Sequence, residues 1–463
     1  MAETLTVSAP ATLPALRIIP DFDRDERLVA LAQTAAGRVV LTAVMVTVSI
    51  HQPLQLAAIG AAALVAYCPQ RRAILMPAAS VAVAMITQVA TPGGLTPSSA
   101  IATVAIFGVA AALIVVAGRT GRRGPFARPA LSLIAAVLLL SAIGCLPDVP
   151  PAFRATIWLA ATTLTAYKWF LAYALTNAAG RKRCPPERNF AMINPFWGST
   201  TKGAAFIAKF EAQTAAELAV TQLKAIKLIL WAMLLRVAGG GFDLIIYDRL
   251  GIPTLDDAVA AYAIGNAPGH AMALAAIGAH FVSSLLHLAV VGHFIIAIAR
   301  FAGFRLPRNT CRPLEARSIA EFWNRYYYYF KELMVDFFFL PAFARLAGWS
   351  PRTRILAATF FSAGVGNYLF HFTRDIDFIR TMGWRAAIEG SATYAFYCLL
   401  LSVGIGCSQM CNGAAERRPL PPIMAQTSVV SFYAFVSVFA YDGRVLSLGA
   451  HLRFLLYILG LSR

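Results

Sequence analysis

The sequence is short of charge. Of its 463 residues, 13% are Asp, Glu, Lys or Arg, about half of the roughly 25% that a water-soluble domain carries. With 59% hydrophobic residues and a mean hydropathy of +0.65, that shortage excludes a soluble multidomain enzyme and a disordered chain. Acidic residues are scarcest, 22 against 40 basic ones, giving a formal net charge of +18. Cysteine is sparse as well. Cys68, Cys145, Cys184, Cys311 and Cys398 are scattered, and Cys407 and Cys411 stand one helical turn apart with no further ligands nearby. They read as small apolar packers, which excludes a disulfide scaffold and leaves no metal site. Residues 1–28 have no apolar core ahead of a small-residue cleavage site. They read as a short cytoplasmic lead, with the first spanning helix as the targeting signal.

What is abundant is apolar runs. They cover 37–51, 54–70, 74–91, 99–117, 129–146, 153–177, 221–246, 271–299, 333–347, 353–372, 384–406, 427–441 and 446–461. A spanning helix needs about 20 mostly apolar residues, and a few runs are shorter. The expected fold is an all-α polytopic membrane protein with roughly 10–13 helices at membrane depth. Arg71-Arg72, the Arg119/Arg122/Arg123/Arg128 group, Arg181-Lys182-Arg183 and Arg300, Arg305, Arg308 and Arg312 are separated by pairs of runs. All therefore fall on one side, the cytoplasm, with the N-terminus. Placed there, the positive charge meets anionic lipid headgroups and not nucleic acid. Gly239-Gly240-Gly241 lacks the lysine of a phosphate-binding loop and reads as a helix end. No internal repeat is evident, which counts against an inverted-repeat transporter.

Two connections are too particular to be plain turns, 180–220 and 301–336. Residues 292–341 read GHFIIAIARFAGFRLPRNTCRPLEARSIAEFWNRYYYYFKELMVDFFFLP. In order, Gly303-Phe304, Leu306-Pro307, Asn309, Pro313, Ser318, Glu321, Phe322-Trp323, Arg325, Asp336 and Pro341 fall in register with a family pattern. The segment resembles the membrane-bound O-acyltransferase superfamily, in particular its bacterial branch that acetylates alginate or D-alanylates teichoic acid. The family's second landmark, a histidine deeper in the fold, matches His371 at the end of the run beginning near Ile355. The resemblance covers about 215–375. It departs in two places. Tyr327 stands where the branch has its first histidine, and the helix that usually carries acidic residues reads His287 to Ile295 without any.

The resemblance implies a helical bundle with a buried tunnel. It divides the chain into the lead (1–28), N-terminal helices with a cytoplasmic loop (29–210), a catalytic core (211–380) and C-terminal helices (381–463). It implies transfer of an acyl group, as small as acetyl, from a thioester such as acyl-coenzyme A, with no resident cofactor. The acceptor is a glycan, lipid or small-molecule hydroxyl outside the cytoplasm, reached with a periplasmic partner protein. Acyl transfer needs a base and a donor to the developing oxyanion. A histidine in a low-dielectric interior is favoured neutral and competent as a base, which suits His371. Asn324 and Tyr327, three residues apart and so on one helix face, are expected near the thioester carbonyl. His280 and His287 share a face, with His293 about 120° away. His287, His293 and Trp323 are expected along the substrate channel. Arg305, Arg308 and Arg312 are expected to bind the phosphates of the donor. Arg325 and Asp336 are expected to pair and hold their helix. The rival readings are a transporter or flippase, with the histidines lining its route, and an inactive scaffold binding lipid or a partner.

Overall fold

The computed structural model describes residues 18–49, 53–89, 94–180, 202–412, 421–440, 443 and 445–461. Most of the N-terminal lead and the Arg181-Lys182-Arg183 cluster lie outside the described residues.

The described chain is a succession of helices without a strand; its one β-bridge joins Glu211 to Phe304. The first seven are α1 (Glu26–Gln33), α2 (Ala35–Ser49), α3 (Pro53–Tyr67), α4 (Arg72–Val89), α5 (Pro97–Thr120), α6 (Pro129–Gly144) and α7 (Pro151–Ala178). Then follow α8 (Ala215–Asp243), α9 (Leu255–Ala263), α10 (His270–Phe301), α11 (Ile319–Tyr326), α12 (Tyr328–Met334) and α13 (Leu340–Arg345). The last six are α14 (Pro351–Thr359), α15 (Asn367–Arg374), α16 (Ile376–Gly390), α17 (Ala392–Asn412), α18 (Pro422–Ser437) and α19 (Leu448–Ile458). Starts follow local chemistry. The side chains of Thr96, Thr214, Ser318, Ser350 and Ser447 each accept a hydrogen bond from the first turn of their helix, satisfying amides that otherwise have no partner.

Among the described residues six helical stretches are long and apolar enough to cross a membrane: Pro69–Val89, Pro97–Thr120, Ala215–Arg249, His270–Phe301, Pro351–Arg374 and Ala392–Met410. A seventh arises if α1 and α2, bent by 96°, count as one span. Three shorter apolar helices, Leu54–Tyr67, Pro129–Gly144 and Leu448–Ile458, accompany them. The chain is a multi-pass helical membrane protein. Its outward faces are apolar, with Ile74 and Ile101 more than 70% exposed, as lipid contact requires. The run expected at 333–347 falls on one continuous helical stretch, in which α12 passes through a π-helical turn at Val335–Phe339 into α13. Gly239–Gly241, by contrast, do not end a helix. They lie inside α8, which continues into a π-turn at Leu244–Arg249, because packing against α10 overrides a local preference worth only about 1 kcal/mol per glycine.

The largest core joins residues from Ala32 to Phe370, with Trp169, Phe170, Phe301, Phe304 and Tyr329 as its bulk. Buried ion pairs tie its edges. Arg72 of α4 pairs with Glu211, and Lys227 of α8 holds Asp21 and Asp23 of the lead. A smaller core of Val137, Trp158, Phe372 and Ile379 fastens α6, α7, α15 and α16 together. His371 adjoins both.

Candidate functional site

The site is built on one helix with a flaw in it. Between α14 and α15 the chain forms a π-turn at Phe360–Gly366, a widened turn frequent at functional sites. It packs against the π-turn at Val335–Phe339, and Gly366 permits the approach: a Cβ there would lie 2.6 Å from Cγ of Phe338. Gly366→Ala should therefore overpack the contact and cost about 1–3 kcal/mol. The expected result is a lower melting temperature in detergent, with a penalty smaller than the sum of the two single changes when Phe338→Ala removes the clashing ring.

Beyond the π-turn, Asn367 and His371 stand one turn apart on the same face of α15, a spacing that brings Cβ atoms within about 5–6 Å. Asn367 is 1% exposed. Among the described residues neither its amide nitrogen nor its amide oxygen has a hydrogen-bond partner, and the buried Nδ1 of His371 has none either. Leaving such a group unpaired costs about 1–3 kcal/mol. An amide offers donors and an acceptor, and a neutral imidazole one of each. Together they supply a proton acceptor beside an oxyanion donor.

Aromatic rings enclose this pair. Phe370 stacks on Trp169 of α7 at 5.6 Å and meets Phe330 of α12 edge-on at 4.7 Å. His371 lies 4.3 Å from the ring of Tyr394 and 6.0 Å from that of Phe330. Phe330 in turn touches Trp323 at 5.7 Å and Tyr327 at 6.0 Å. A continuous aromatic path thus links His371 to Trp323 and Tyr327. Lys168 and the indole of Trp169 reach the same group from α7, and the sequence alone did not point to them or to a role for Asn367.

Several expected placements need correction. Asn324 is exposed and does not share a helix face with Tyr327. The helix breaks at Tyr327 (φ −145°, ψ 81°), because Asn309 reaches across from the preceding loop. Its backbone carbonyl accepts from Tyr328 N–H at 2.9 Å and its side-chain oxygen from Tyr329 N–H at 3.3 Å, starting α12 afresh. Arg325 and Asp336 do not pair. Arg325 binds Glu321 and Glu315, while Asp336 accepts from Tyr173 at 2.8 Å and from Lys202 at 3.1 Å. Of the histidines of α10, His287 is exposed, His280 half-buried and His293 buried. Of the three arginines expected at the donor, Arg305 pairs with Glu217 and Arg312 with Glu315. Arg308 is exposed and forms no ion pair among the described residues. Nor does any group of three His, Cys, Asp or Glu among those residues suit a metal.

Below Trp323 a charged knot holds α12 to the connection before α8. Lys202 bridges Glu332 at 2.5 Å and Asp336, and Lys331 pairs with Glu332 as well. Burial pushes the Glu332 carboxyl up, but hydrogen bonds from Lys202 and Lys331 outweigh it and hold the group below its ordinary value of 4.5. A depressed carboxyl stabilises the fold above its unfolded value and loses that contribution as pH falls through the folded one. Melting temperature should fall on acidification below pH 4.5, and Glu332→Gln should flatten that acid limb while lowering the plateau at neutral pH. Melting curves taken between neutral and acid pH would show both.

No protein-family model and no curated protein matches the chain in sequence.

Proposed function

We propose that the chain is a membrane-embedded acyltransferase. It moves an acyl group, as small as acetyl, from a thioester such as acyl-coenzyme A to a hydroxyl of an extracytoplasmic glycan or glycolipid. The supporting observation is a pair of polar side chains one turn apart on α15 beyond a π-turn, the buried Asn367 and the half-buried His371, whose amide and Nδ1 have no hydrogen-bond partner among the described residues. The family resemblance of 292–341 and of His371 points the same way.

In this reading the imidazole of His371 takes the proton of the acceptor hydroxyl as its oxygen attacks the thioester carbonyl. The carbonyl oxygen becomes an oxyanion and accepts from the amide of Asn367, a donor already in place and desolvated. Collapse of the tetrahedral intermediate expels the thiolate, which takes the proton back from the imidazolium. The products are an ester and a free thiol. Arg308, with no carboxylate partner, is the arginine left for donor phosphates. The membrane is the bacterial cytoplasmic membrane, with the N-terminus and the basic clusters inside.

The test is direct. Purified protein in detergent, given labelled acyl-coenzyme A of graded chain length, should release free thiol and carry the label to a hydroxyl acceptor or to water. A protein that turns over no donor of any length would overturn the proposal and leave a transporter or an inactive scaffold.

A further inference from the structure

We propose that Lys168, Trp169 and Asn367 form a buried receptor for one carboxylate-like oxyanion carrying a short apolar tail. The proposal rests on the acyltransferase reading for its biological use but not for its test.

Lys168 is 2% exposed, in the buried face of α7. An ammonium has three donor hydrogens. Here it gives one hydrogen bond, to the carbonyl of Thr165 at 3.0 Å, and otherwise lies over the rings of Trp169 at 5.5 Å and Phe370 at 6.0 Å. Asp375 is within electrostatic reach, yet its two oxygens are taken by Arg374 at 2.7 and 3.0 Å. Among the described residues no carboxylate lies within ion-pair distance of Lys168. A charge buried without a counter-ion is among the most expensive arrangements a fold can hold.

Two neutral donors share its surroundings. The indole N–H of Trp169 is buried and has no hydrogen-bond partner among the described residues, and the same holds for the amide of Asn367. Trp169 stacks on Phe370, and Asn367 precedes Phe370 by one turn on α15. Lys168 and Trp169 thus lie against one phenyl ring, with Asn367 one turn from it along α15, and only one of the three donors can carry a charge. That stoichiometry fixes the ligand class. A single positive charge in a low-dielectric setting balances one negative charge; a phosphate dianion would leave a net buried charge. The rings packed around it, Phe370, Phe330 and Phe338, suit an alkyl tail and not a sugar. A carboxylate fits, and so does the oxyanion that a thioester carbonyl becomes under attack from beside His371.

Equilibrium dialysis of the full-length protein in detergent, with labelled butyrate and labelled orthophosphate as probes, tests this. Wild type should bind butyrate saturably, and phosphate should not compete. Lys168→Met should weaken butyrate by about tenfold or more, the loss expected for a charge-assisted bond. Lys168→Arg keeps the charge and Trp169→Phe keeps an aromatic ring without its N–H, so both guard against a folding artefact; the first should retain most binding and the second lose about threefold to tenfold. No butyrate binding in wild type, equal binding in Lys168→Met, or phosphate binding as strong as butyrate would each overturn the receptor. Butyrate binding without thioester turnover would sink the proposed reaction and leave the receptor standing; turnover with binding indifferent to Lys168 would do the reverse.

Discussion

Replacing His371 by glutamine is expected to lower the turnover of acyl-coenzyme A by about 10²–10⁴-fold, the range that a positioned general base contributes. The protein should fold as before. Nδ1 of His371 has no partner to lose, and the ring meets its neighbours through aromatic contact alone, at Phe330, Phe370 and Tyr394. Donor affinity should also persist, because the base acts on the acceptor hydroxyl. The signature is a fall in kcat with KM for the donor near its wild-type value and little change in melting temperature. Full activity in the glutamine variant would move the chemistry elsewhere in the bundle.

Asn367→Leu should separate activity from stability. Removing the oxyanion donor is expected to lower turnover by about 10²–10³-fold. Stability should hold or rise, by as much as about 1–3 kcal/mol, because the leucine fills similar space and relieves a buried amide that no protein group satisfies. Asn367→Asp should lose on both counts, since it buries a negative charge among aromatic rings. Rate measurements beside thermal melts read the two axes at once. If the leucine variant melts well below wild type, Asn367 holds the fold together and the oxyanion role falls.

Helix type and membrane habit were legible in the sequence because both follow from hydrophobicity summed over long windows, where local exceptions average out. The runs at 271–299 and 353–372 land within two residues of His270–Phe301 and Pro351–Arg374. Side-chain direction was not legible where the backbone leaves the 3.6-residue repeat. Extrapolating one helix through Tyr326–Tyr329 puts Asn324 beside Tyr327, but a side chain from Asn309 interrupts it; that contact is invisible to periodicity. The same holds for the π-turn at Phe360–Gly366, which shifts the face that follows. Asn367 sat in plain view four residues before His371, and only burial distinguishes it from Asn324. Lys168 is a further case. One lysine in an apolar run reads as a residue reaching for the interface, and the structure instead folds it inward.

The widened turn ahead of Asn367 has one more consequence. A spanning helix that loses a residue normally rotates everything beyond the cut by about 100°, which scrambles a packed bundle. Where the backbone already carries surplus length, the excision is absorbed: the turn tightens to the ordinary pitch and both flanks keep their neighbours. Phe360–Gly366 is thus a place where a chain of this kind can shorten by a single codon and still assemble, its architecture and the aim of its imidazole both kept.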